Sequence, residues 1–126
     1  MRDGKHVILC VDDDADVVEA LELRLRKEGY VVETARSAEE GLRKWKDCHP
    51  DLSVIDLMME EIDSGTGLVK DLKLAGNQAP VVLLSSLGDE LTISANYREL
   101  GLDAVFQKPL DFATLLRTIR ARLGQG

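Results

Sequence analysis

Five short apolar runs divide the chain at nearly regular intervals: VILCV (7–11), VVET (31–34), LSVI (52–55), VVLL (81–84) and AVF (104–106). Each is rich in β-branched residues, and each is followed by a longer stretch in which apolar positions recur with helical period. The runs do not alternate apolar with polar positions, so both of their faces are expected to be covered, as in a parallel sheet with helices on either side. The pattern predicts an α/β fold made of five consecutive βα units.

Local punctuation fits that reading. Ser37 and Glu40 form a capping-box pattern ahead of AEEGLRKW, and Gly29, Gly76 and Gly101 fall where left-handed helix ends are expected. In the last segment Phe112, Leu115, Leu116, Ile119 and Leu123 make one apolar stripe, with Asp111 as N-cap. Asp14 is expected to cap the first helix in the same way.

A chain of 126 residues that is 44% hydrophobic predicts one domain over residues 1–126, with a core that must be aliphatic because aromatics reach only 4%. The net charge of −7 disfavours polyanionic partners, so direct nucleic-acid binding is not expected. No stretch approaches the roughly 18 apolar residues of a membrane span, and a cytoplasmic location is expected. Cys10 and Cys48 are too few and too isolated for a disulfide framework or thiolate metal site. Cys10 reads as a small core residue, His6 and His49 as solvated or capping groups, and Trp45 and Tyr97 as packing residues of helices.

The polar residues that follow the runs change the picture. Asp12, Asp13 and Asp14 come after the first, Asp56 after the third, Ser85 and Ser86 after the fourth and Lys108 after the fifth. The second, ending TARS, offers no acid and suits an edge strand. In open α/β sheets ligands bind outside the carboxyl ends of the strands. Carboxylates gathered there repel one another, and a hard divalent cation such as Mg²⁺ (or Mn²⁺) would relieve them. A lysine and a hydroxyl beside such a site can contact phosphoryl oxygens.

These residues resemble the receiver domains of two-component response regulators, of the chemotaxis single-domain type, along essentially the whole chain: ILCVDDD, DLSVIDLMM, APVVLLSS and FQKPLD. The resemblance implies a flavodoxin-like, doubly wound five-stranded parallel sheet, (βα)5, with strand order 2-1-3-4-5. It implies that Asp56 accepts a phosphoryl group from a histidine kinase, and that Asp12, Asp13, Asp56 and the Met58 carbonyl hold Mg²⁺. Ser85 and Lys108 would then contact the phosphoryl group, and Lys108-Pro109 would be a cis peptide. The implied partners are a sensor histidine kinase or phosphotransfer protein, a downstream target or fused output domain, and a second copy on activation, with no direct nucleic acid and no membrane. Activity would be limited to self-phosphorylation and slow autodephosphorylation, not turnover of a separate substrate.

The chain departs from the family pattern in places. Val105 stands where the family has a switch aromatic, and Phe106 beside it should face the other way. Glu60 replaces a common proline, and DSGTGL (63–68) reads as a lengthened loop. Met58 and Leu87, two beyond the acceptor and the hydroxyl, are apolar and imply a long-lived acyl phosphate. Two alternatives are a receiver-like module that signals without phosphorylation and a haloacid-dehalogenase-type phosphatase, whose D-x-D motif Asp12 and Asp14 imitate. The residues are compatible with a free-standing receiver or one cut from a longer regulator.

Overall fold

The computed structural model describes residues 1–57, 64–85 and 104–124. Five strands, β1 (Val7–Val11), β2 (Val31–Ala35), β3 (Leu52–Asp56), β4 (Val81–Ser85) and β5 (Ala104–Gln107), pair in parallel in the order β2-β1-β3-β4-β5. The described helices are α1 (Ala15–Lys27), α2 (Ala38–Cys48), α3 (Ser64–Leu74) and α4 (Phe112–Arg122). This is the doubly wound arrangement expected, with β2 on one edge. The segment between β4 and β5, including Gly101 and Tyr97, lies outside the described residues, as do Met58, Glu60, Ser86 and Leu87.

Every residue of β1, β3 and β4 is buried, which explains why these strands read as continuous apolar runs. Side-chain alternation sorts them into two cores. Leu9, Val11, Ile55 and Leu83 pack under α2 and α3 with Leu68, Val69 and Leu72. Ile8, Cys10, Leu52, Val54, Val82 and Leu84 pack on the other face with Leu21 and Leu25 of α1 and Leu115 and Ile119 of α4. The stripe predicted for the last helix is the surface that covers this second face.

The expected caps form. The Asp14 side chain accepts from the Asp16 amide, and that of Asp111 accepts from Ala113 and Thr114. Ser37 Oγ accepts from the Glu40 amide, while Glu40 Oε1 reaches back to the amide of Arg36 at 2.7 Å, one residue before the cap. Gly29 and Gly76 have positive φ after their helices, and His49 takes the left-handed position at the end of α2. Trp45 packs against the first core and donates to Asn77 Oδ1 at 3.1 Å. No described helix is long and apolar enough to cross a membrane.

One local expectation is corrected. Set against the family pattern, the stretch 63–68 reads as a lengthened loop, yet α3 begins at Ser64, so 64–68 are helical despite the glycines at 65 and 67. Burial of Leu68, Val69 and Leu72 against the sheet outweighs the propensity cost.

Gly41 carries a constraint that the sequence pattern does not announce. A Cβ there would lie 3.0 Å from Leu68 Cδ2 and 3.1 and 3.2 Å from the two Val11 methyls. Val11 is fully buried and stiff at χ1, so it cannot yield cheaply. Gly41→Ala is expected to destabilise by about 1 kcal/mol, overpacking outweighing the gain in helix propensity. A urea midpoint unchanged or raised relative to wild type would contradict this.

Candidate functional site

The carboxyl ends of β1, β3, β4 and β5 carry the polar residues singled out above. Register explains how two of them meet. Val11 pairs with Ile55, so Asp12 and Asp56 stand side by side at the next position. Alternation puts Asp12 on the face of Ile8 and Cys10, and Asp56 on the face of Leu52 and Val54, which is the same face. Both are almost completely buried, Asp12 at 0% and Asp56 at 2% exposure. One carboxylate oxygen from each of Asp12, Asp13 and Asp56 lies within 4.8 Å of the others.

Lys108 reaches this cluster from the end of β5. Its ammonium lies 2.8 Å from Asp12 Oδ2 and 3.4 Å from Asp56 Oδ1. The Lys108 amide donates to the Ser85 carbonyl at 2.7 Å, which fixes the lysine backbone against β4. Ser85 is buried one residue beyond Leu84, the register partner of Asp56. Lys108-Pro109 is cis, as expected.

Burial, followed by the charge of Asp12, pushes Asp56 up to about 7, and Lys108 only partly counters this. Burial works against the charged form of Lys108, but its contacts with Asp12 and Asp56 more than offset that and hold its pKa above the usual lysine value. Cys10 is pushed up to about 12 by burial, in keeping with an inert core thiol.

The donor set suits a hard cation. Mg²⁺ binds oxygens at about 2.1 Å in an octahedron, which places ligand oxygens roughly 3 to 4 Å apart. Three carboxylate oxygens within 4.8 Å need little contraction to meet that requirement. Met58, the fourth ligand implied by resemblance, lies outside the described residues.

The second strand contributes more than its lack of acids implies. Arg36, directly after β2, donates through Nε and Nη2 to the carbonyl oxygen of Asp13 at 3.2 and 3.1 Å. The Asp14 amide donates to Asp12 Oδ1 at 2.9 Å, and the Asp12 amide to the Ala35 carbonyl at 3.1 Å. The clue to Arg36 was its place at the carboxyl end of a strand beside β1, just ahead of a helix cap.

The sequence pattern of the family described as "Response regulator receiver domain" matches residues 8–120. The chain belongs to that family. This receiver is 34% identical over 119 residues to the transcriptional regulatory protein AfsQ1 of Streptomyces coelicolor, covering 94% of this chain and 52% of that protein. It is 35% identical over 119 residues to the probable transcriptional regulator ycf27 of Guillardia theta, covering 94% of this chain and 46% of that protein. It thus spans about half the length of the curated relatives it matches.

Among solved structures, a CheY-like receiver domain protein from Methanospirillum hungatei superposes with a TM-score of 0.89 at 28% identity. The match covers 97% of this receiver and 96% of that chain. A putative response regulator from Chloroflexus aurantiacus gives 0.83 at 32% identity, covering 95% and 98%. Receiver domains bind Mg²⁺ at an acidic cluster, and Asp12, Asp13 and Asp56 are brought together in this one. Val105 packs with the α2–α3 core and Phe106 with the opposite one, so the aromatic does face away from the position the family pattern assigns.

Proposed function

We propose that this receiver takes a phosphoryl group on Asp56 from a phosphohistidine of a sensor kinase or phosphotransfer protein. The observation that carries the proposal is the Asp56 carboxylate itself: buried, beside two further acids and within 3.4 Å of a lysine ammonium. An Asp56 oxygen attacks phosphorus, the P–N bond breaks, and the departing electron pair stays on the donor imidazole, which takes up a proton. Asp56 ends as a mixed anhydride with phosphate.

Positioning and charge compensation do most of the work in such a transfer. Asp12, Asp13 and Asp56, with the Met58 carbonyl, would hold Mg²⁺ (or Mn²⁺), which when bound supplies positive charge against the transferring phosphoryl oxygens. Lys108 pairs with the same oxygens once Asp56 is phosphorylated, and the Ser85 hydroxyl donates to one of them. The added charge of about −2 then biases a two-state surface equilibrium read by a downstream target or a fused output domain. The protein acts in the cytoplasm and turns over no separate substrate.

Incubation with radiolabelled acetyl phosphate and Mg²⁺ is expected to label the wild type stoichiometrically and to leave Asp56→Asn unlabelled. Retention of label by that variant would remove Asp56 from the role, and an unlabelled wild type would favour a module that signals without phosphorylation.

A further inference from the structure

We propose that Arg36 is a positioning residue for the acid pair, a strut from the start of α2 that holds Asp12 and Asp13 in the geometry a divalent ion needs. The inference rests on the phosphoacceptor reading above.

Asp13 sits in a loop with like charges on both sides and a third acid, Asp56, facing it. Without restraint, mutual repulsion would open that loop and separate the ligands. Two contacts restrain its ends: the Asp12 amide is tied to β2 through the Ala35 carbonyl, and Asp14 is tied down as the cap of α1. Between them the peptide carbonyl of Asp13 is gripped by both Arg36 donors. Both N–H groups of the planar guanidinium converge on this one oxygen, which pins its position more firmly than a single donor would.

The base of the strut is also fixed. The Arg36 amide donates to Glu40, and Ser37, the next residue, caps α2. The position of the Asp13 carbonyl is therefore set from a rigid helix start, which limits how far the loop can carry the Asp13 carboxylate away from Asp12 and Asp56. Arg36 is exposed and touches neither the carboxylates nor the lysine through any contact described above, so it acts through the Asp13 backbone.

An exposed guanidinium also repels a nearby cation, which opposes the positional effect. Salt separates the two contributions, because at physiological ionic strength exposed charges are screened over about 8 Å whereas the hydrogen-bond geometry is unaffected. Lysine in place of Arg36 keeps the charge and loses the fork.

The test is calorimetric titration of the intact chain with Mg²⁺ at moderate salt for wild type, Arg36→Ala and Arg36→Lys. Melting of the metal-free proteins and hydrogen exchange at the Asp14 amide complete it. Arg36→Ala is expected to bind Mg²⁺ about fivefold more weakly, with Arg36→Lys between it and wild type. Labelling by acetyl phosphate at saturating Mg²⁺ should be close to unchanged, the metal-free melting temperature little moved and the Asp14 amide faster to exchange.

Equal or tighter Mg²⁺ binding by Arg36→Ala overturns the proposal, as does weaker binding that follows a general loss of stability with no change at Asp14. A wild type that binds Mg²⁺ but is not labelled defeats the phosphoacceptor reading alone, because the affinities still test the strut. If the wild type binds no Mg²⁺, unchanged exchange at Asp14 overturns the strut and faster exchange upholds its positional part.

Discussion

Asp56→Asn, the change expected to abolish labelling, should make the metal-free protein more stable at pH 8, by about 2 kcal/mol. An aspartate in the unfolded chain titrates near 3.9, whereas burial and Asp12 raise Asp56 to about 7 in the fold. Between those values the folded protein keeps a proton that the unfolded chain has released. Stability therefore falls as pH rises from about 4 to 7, and the whole cost persists above 7. Three units correspond to a ceiling of about 4 kcal/mol, and local relaxation lowers what is realised. The gain should be large at pH 8 and vanish near pH 4. Millimolar Mg²⁺ should close the gap by stabilising only the wild type, and its affinity for the wild type should weaken as pH drops below 7. Denaturant unfolding across pH, with and without Mg²⁺, measures this, and a gain independent of pH would contradict it.

A site that costs stability was visible in the sequence, since three aspartates directly after a buried strand have no packing reason to be there. The same is true of the fold: uninterrupted β-branched runs mark strands covered on both faces, and β1, β3 and β4 are buried throughout. Asp12, Asp56, Ser85 and Lys108 were legible because each ends a strand, and chain order alone delivers them to one edge. Register-dependent features were not. Arg36 holds Asp13 across 23 positions of sequence, a contact that exists only because β2 lies beside β1. Gly41 looks like an ordinary weak helix former until Val11 and Leu68 close in on it. The reading of 63–68 as a loop failed for a related reason: it compared the stretch with the family pattern and left out the burial of Leu68 that draws it into α3.

Lys108→Met should have the opposite effect to Asp56→Asn, lowering metal-free stability at pH 8 by about 2–4 kcal/mol. Methionine keeps the length and apolar stem of the lysine side chain and removes the ammonium that now lies 2.8 Å from Asp12 and 3.4 Å from Asp56. Taking away one partner of a buried ion cluster leaves the others uncompensated, which costs more than the attraction itself was worth. The folded-state pKa of Lys108 is raised, so its stabilising contribution is complete below the unfolded value near 10.4 and is lost only as pH climbs through the folded value. The variant's deficit should therefore persist at neutral pH. It should shrink in mild acid, where Asp56 takes a proton and ceases to repel Asp12. In the double variant Lys108→Met, Asp56→Asn one of the two uncompensated charges is gone. Most of the loss should then be recovered, giving a coupling energy of about 1–3 kcal/mol between the two positions. Additive effects in that cycle would mean that lysine and aspartate do not sense each other, and the ammonium would then have to be assigned to Asp12 alone.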